Sequence, residues 1–147
     1  MDESIGGALL TGIITAIVGI MIVIFAVSFS YNKAYKARSF ILNLINDNDG
    51  YSSDLDQRIN DKLLSVGYNR RRSVCANKKG RDSSTIVHEG NGYCIYKLVE
   101  QYKDTIDDSY TKFSYYEIET YMTLDIPLFL IEIPIYGQTQ SYRIIND

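Results

Sequence analysis

The sequence predicts an α+β protein, with one long N-terminal helix leading into a small antiparallel β-sheet domain. Three observations carry this. Residues 4–30 are uncharged and mostly apolar. A helical apolar pattern then continues to residue 45 without Pro or Gly. Beyond Gly67 the pattern shifts to alternating stretches rich in Tyr, Thr, Ile and Val, separated by polar turns. The implied division is an anchor over 1–31, a helical continuation over 32–47 and a small α+β domain over 48–147.

The anchor comes first. Residues 4–30 exceed the roughly 20 apolar residues needed to cross a bilayer. Gly6, Gly7, Gly12 and Gly19 would weaken a soluble helix but are ordinary in a membrane helix. A secretory signal peptide would want a basic start, a shorter apolar core and a small-residue cleavage site. Here Asp2 and Glu3 precede the run and no such site follows. The reading is an uncleaved single span in the cell membrane, with the lipid bilayer as first partner.

Orientation has two opposed signals. Lys33, Lys36 and Arg38 follow the span, which by the positive-inside rule puts the domain in the cytoplasm. Cys75 and Cys94 are the only cysteines. An even count in a small domain suits a disulfide formed outside the cytosol. Two buried free thiols are the plainer alternative. The expectation is a Cys75–Cys94 bond and an extracytoplasmic domain.

Within the anchor, Ala8, Gly12 and Ala16 recur every fourth residue, with Gly19 on the same side. Small residues at this spacing let a second helix approach closely. Gly and Ala are also common in membrane helices generally, so the stripe is a helix-packing candidate.

The continuation carries Phe40, Ile41, Leu44 and Ile45 as one apolar stripe, expected to pack on the sheet. Asn46 to Asp49 break it, with Gly50 as candidate C′ residue. A short helix should follow, capped by Ser52 or Ser53, with Leu55, Ile59, Leu63 and Leu64 on one face and Gly67 at its end. Strands are expected over 72–76, 93–100 and 113–126. Two more, over 131–136 and 138–145, should flank a bulge or bend at Gly137. Pro127 and Pro134 restrict their segments to edges or bends. Segments 77–92 and 101–112 read as polar loops.

Chemistry is sparse. The lone histidine, His88, lies in a polar stretch and reads as a solvated surface residue. The Asp47-Asn48-Asp49-Gly50 run does not fit a calcium loop, because the first and twelfth positions fall on Ile45 and Asp56. Asp104, Asp107 and Asp108 read as a solvated turn. Arg70, Arg71, Arg72, Lys78, Lys79 and Arg81 form a basic cluster that belongs to no amphipathic helix and reads as a solvated face. With 15 Lys+Arg against 18 Asp+Glu in 147 residues, nothing points to nucleic acid. No phosphate-binding glycine loop, nucleophile elbow or HExxH is present. No catalytic, cofactor or metal residue is assigned, and no enzyme activity is expected.

This layout resembles the type IV pilin-like family, including the pseudopilins of type II secretion and the TadE-like minor pilins. The short second helix ending in Leu64-Ser65-Val66-Gly67-Tyr68 and the closing segment from Ile133 to Thr139 also look like small single-pass membrane proteins of Gram-positive bacteria. The prepilin leader pattern is not matched: a leader ending at Gly6 or Gly7 would put Thr11 or Gly12 where the family has Glu. No family site residue is carried over. The resemblance implies an outward-facing, non-enzymatic component of a filament or a secretion or adhesion machine, oligomeric through its helix, with other pilin-like subunits as partners. The other reading is a membrane-anchored extracytoplasmic binding or sensor domain using the Tyr-rich strands.

Overall fold

The computed structural model describes residues 2–68, 75, 84–103, 110–126 and 129–144. One helix, α1 (Asp2–Asp47), runs unbroken for 46 residues, about 69 Å at 1.5 Å per residue. A short helix, α2 (Asp54–Ser65), follows. The sheet comprises β1 (Ser84–Gly90), β2 (Tyr93–Lys103), β3 (Tyr110–Ile126), β4 (Phe129–Gln138) and β5 (Tyr142–Ile144). All pairings are antiparallel, in the order β1-β2-β3-β4, with β5 continuing the β4 edge of β3. The layout is α+β: a long apolar N-terminal helix and a small antiparallel sheet.

The lower half of α1 forms the middle of the core. Ala34, Ala37, Ile41, Leu44 and Ile45 are buried, spaced to keep one stripe against the sheet. They meet Tyr93, Ile95, Tyr116, Ile118 and Met122 from β2 and β3, and Leu55, Ile59 and Leu63 from α2. Phe40 lies at the margin of this cluster, half-buried. Polar bonds fix the register. Thr120 donates to the Ala34 carbonyl at 3.1 Å, Ser30 to that of Thr123 at 2.5 Å, and Arg38 to that of Tyr136 at 2.8 Å. Near the helix end, the Tyr142 hydroxyl bonds Asn46 Oδ1 at 2.8 Å. β3 thus runs antiparallel to α1, and no linker separates the apolar half of α1 from the half that packs on the sheet.

Both helices end in the same hydrogen-bonded motif. At α1, Gly50 N–H donates to the Ile45 carbonyl and Asp49 N–H to that of Asn46. The left-handed residue is therefore Asp49, at φ 51°, with Gly50 one place later than expected. At α2, Tyr68 N–H donates to Leu63 and Gly67 N–H to Leu64, with Gly67 at φ 70°. Ser53 precedes α2, but its side chain makes no capping bond. Leu64 does not join the apolar face: it is 57% exposed, because the helix buries only Leu55, Ile59 and Leu63.

The strands correct the sequence reading in three places. Segment 77–92 is not wholly loop: β1 pairs with β2 through a two-residue turn at Asn91 and Gly92, at φ 51° and 85°. Positive φ at both central positions is the geometry of a type I′ hairpin, for which Asn-Gly is the favoured pair. Segment 101–112 is shortened at both ends, because β2 continues to Lys103 and β3 begins at Tyr110. Gly137 makes no bend: β4 runs straight through it. A Cβ there would sit 2.7 Å from Arg38 Cδ and 2.8 Å from Leu42 Cδ1, so this glycine lets α1 lie on the strand. Pro134 falls on β4, an edge strand as expected. Pro127 and all of the expected 72–76 strand except Cys75 lie outside the described residues. Cys75 itself carries no strand assignment.

Candidate functional site

The first candidate surface is the upper half of α1. From Leu9 to Phe25 its large apolar side chains are exposed on every side of the helix. Its mean hydropathy of 2.8 and its length are compatible with a single membrane span. At 100° per residue, Ala8, Gly12, Ala16 and Gly19 fall within an arc of about 80°. A Cβ added at Gly12 or Gly19 meets nothing within 4 Å, so the stripe has no neighbour among the described residues. Thr11 and Thr15 satisfy their hydroxyls on carbonyls four residues back, at 2.9 and 2.8 Å.

Below the stripe the surface changes character. Phe29, Tyr31 and Tyr35 are exposed. Lys33 Nζ lies 4.6 Å from the Phe29 ring centre, and the Arg38 guanidinium 4.5 Å from that of Tyr35. Aromatic rings interleaved with cations are common at the headgroup level of membrane helices.

The second surface is the sheet face turned away from α1. Period-two alternation brings Cys94, Tyr96 and Leu98 of β2 beside Tyr115, Glu119 and Tyr121 of β3. Glu119 is 2% exposed, although it lies on the outer face. The Tyr96 hydroxyl donates to it at 3.0 Å, and the Tyr121 and Tyr136 hydroxyls also bond it. One carboxylate thereby ties three strands together. Burial raises the Tyr96 and Tyr121 pKa, and the neighbouring Glu119 adds to it. Farther along, Glu100 accepts from Tyr102 and Tyr115, each at 2.8 Å. These three residues, with Phe113, Gln138 and Ser141, line a cleft of about 450 Å³.

Cys75 and Cys94 are bonded, with their Cα atoms 5.8 Å apart. The bond packs on this outer face against Tyr96, Leu98 and Tyr115. Glu89 accepts from the Cys75 N–H at 3.1 Å. A sequence separation of 19 corresponds to about 3 kcal/mol of stabilisation on the chain-entropy account.

His88 is not a solvated loop residue. The β1–β2 register shifts between Ile86 and His88. That shift turns both Val87 and His88 toward the helices. The imidazole is stacked on Tyr93 at 4.3 Å between ring centres, and its Nδ1 lies 3.0 Å from Asp56 Oδ1. The Tyr51 hydroxyl donates to the same carboxylate at 2.5 Å. The Tyr93 hydroxyl and His88 Nε2 are buried without a partner among the described residues. Burial, and next Asp56, raise the pKa of Tyr51 and of Tyr93. The cluster fastens the start of α2 to the sheet.

Nothing in the sequence singled out Glu119 or Glu100, since an acid on an alternating strand reads as solvated. The basic cluster from Arg70 to Arg81 and the acids Asp104, Asp107 and Asp108 lie outside the described residues. Around Gly50, Asp56 at the twelfth place of the calcium pattern is already engaged with Tyr51 and His88. Among the described residues no three His, Cys, Asp or Glu side chains converge as a metal site would require. Comparison with family models, curated proteins and solved structures returned no match to this chain.

Proposed function

We infer that the chain is a single-pass, pilin-like assembly component that works by helix packing rather than by chemistry of its own. The observation that carries this is α1 itself. One unbroken helix serves both as the apolar anchor and as the central core element of the domain. A pull or rotation applied to the anchor therefore passes directly to the sheet. The Ala8, Gly12, Ala16, Gly19 stripe offers the close-approach face such packing needs, because lipid removes the hydrophobic drive between helices and leaves van der Waals contact. In this reading the domain stands outside the cytoplasm. The Cys75–Cys94 bond supports that side, since disulfides persist in oxidising compartments. Lys33, Lys36 and Arg38 then act as headgroup anchors rather than as a cytoplasmic retention signal. The partners are copies of this chain or other pilin-like subunits of a filament or secretion machine.

Cysteine crosslinking tests the reading. The chain has no free thiol, so one introduced cysteine reports alone. Ala16→Cys, on the stripe, should form crosslinked dimers in the membrane. Leu10→Cys, on the opposite side of the helix, should not. Adding Gly12→Ile should abolish the Ala16→Cys product while leaving insertion intact. Absence of crosslinks at Ala16→Cys, or indifference to Gly12→Ile, overturns the assembly reading.

A second reading rests on the cleft beside Glu100, which would suit a membrane-anchored binding domain. It ranks second because Glu100, Tyr102 and Tyr115 already bond one another, which lowers what they offer a ligand.

A further inference from the structure

The outer end of the β3–β4 hairpin carries exposed apolar side chains beside the anchor. Leu130 is 66% exposed, and Ile131 and Ile133 are each 43% exposed. Their height along α1 places them relative to the apolar half of that helix. Tyr142, which pairs with Ser114, bonds at Ile45 and Asn46, and Thr123 bonds at Ser30. Nine residues of β3 therefore span the same height as 15 residues of α1. Each strand residue advances about 1.7 helix residues, as expected for a strand inclined to the helix. Leu130 pairs with Asp125 and Ile131 with Leu124, which puts them level with about residues 27 and 28 of α1. Val27 and Leu124 pack on the same core cluster, which agrees with that placement. Ile133 pairs with Met122 and lies level with about residue 32.

These heights straddle the end of the uncharged run and the Phe29, Tyr31, Tyr35 level. Leu130 and Ile131 lie on the membrane side of Tyr31 by about 5 Å, the depth at which interfacial apolar groups settle between headgroups and acyl chains. Ile131 and Ile133 share the face on the helix side, while Leu130 and Glu132 point to the other, so the strand end carries exposed apolar groups on both faces.

We propose that Leu130, Ile131 and Ile133 form a second membrane contact, seating the hairpin end in the bilayer interface next to α1. The anchor and the hairpin then hold the domain at two points. This fixes its tilt and its rotation about the helix axis, which a single helix alone leaves free. The inference rests on α1 spanning a bilayer but not on assembly with other copies.

The chain contains no Trp, so a single introduced Trp is an unambiguous probe. The full-length protein is placed, one copy per disc, in lipid nanodiscs of phosphatidylethanolamine and phosphatidylglycerol. Parallel discs contain lipids brominated near the glycerol end of the acyl chain. Leu130→Trp should show blue-shifted emission and lose most of its fluorescence to the brominated lipid. Tyr102→Trp, at the far end of the sheet, should behave as a solvent-exposed control, and Phe25→Trp as an embedded one. Leu130 is exposed, so its replacement leaves the core intact. Emission from Leu130→Trp that matches Tyr102→Trp overturns the proposal. So does a blue-shifted but unquenched signal, which would mean burial against protein. An unquenched Phe25→Trp would remove the span itself, and the proposal with it, which separates that failure from the other two.

Discussion

Ile41→Ala probes the coupling between anchor and domain most directly. Ile41 is fully buried in the cluster shared by α1, α2 and the sheet. The change removes three carbon atoms, about 2.4 kcal/mol at 0.8 kcal/mol per buried CH2. Its neighbours Ala37, Ile45, Ile95 and Ile118 lie on regular elements, so collapse around the gap is limited and a cavity cost adds to this. The expected loss lies between the transfer value and about 5 kcal/mol. For a domain of this size each kcal/mol lowers Tm by about 4–8 °C, so melting should fall by roughly 10–40 °C. The assay is thermal unfolding of the full chain in nanodiscs, followed by near-ultraviolet circular dichroism of the tyrosines. Ile17→Ala, at a position 50% exposed in the anchor, should leave this transition unmoved. An Ile41→Ala midpoint equal to that of wild type would refute the placement of the helix at the centre of the core.

Two further outcomes follow from the geometry. Gly137→Ala forces a methyl group against Arg38 and Leu42 and should cost about 1–3 kcal/mol, read as a lower urea midpoint. An unchanged midpoint would mean that α1 does not lie on β4 there. Burial raises the pKa of Tyr51, Tyr93, Tyr96 and Tyr121 above their ordinary value near 10. In the unfolded chain these hydroxyls ionise near pH 10, while the folded protein holds them protonated. Stability from this source is therefore complete below pH 10 and lost as pH rises beyond it. The tyrosinate absorbance of these four should appear together with loss of near-ultraviolet dichroism. Ionisation of all the tyrosines with that signal intact would contradict their burial.

The long helix was legible because its signals are periodic and local. An uncharged run and the Ile41, Leu44, Ile45 spacing need no knowledge of the rest of the chain. Ala34 and Ala37 belong to the same stripe but are small and flanked by Lys33, Lys36 and Arg38, so their burial shows only against the sheet. The Cys75–Cys94 pairing was legible because two cysteines leave one intramolecular bond. β1 was missed because its residues include His88, Glu89 and Gly90, which taken alone suggest a loop. The Asn91-Gly92 pair ahead of an alternating strand was the signal that could have found it. Gly137 was misjudged because a glycine in a strand has two meanings, a bulge or a close approach, and only the position of α1 decides between them. The Glu119 network was invisible because its tyrosines come from three strands.

The order of synthesis gives the α1–sheet register a temporal side. The helix leaves the ribosome first, but its hydrogen-bonding partners in β3, β4 and β5 lie 86 to 98 residues later in the chain. At about 5–20 residues per second, that is a delay of roughly 5–20 s. Throughout it the buried stripe from Ala34 to Ile45 has no sheet to cover it. If the upper half of the helix is already in the bilayer, the nearest apolar phase is the membrane surface just above. Folding of the domain is then the peeling of this stripe from lipid onto newly paired strands. β3, which carries most of the helix contacts, would be the strand whose arrival starts the transfer.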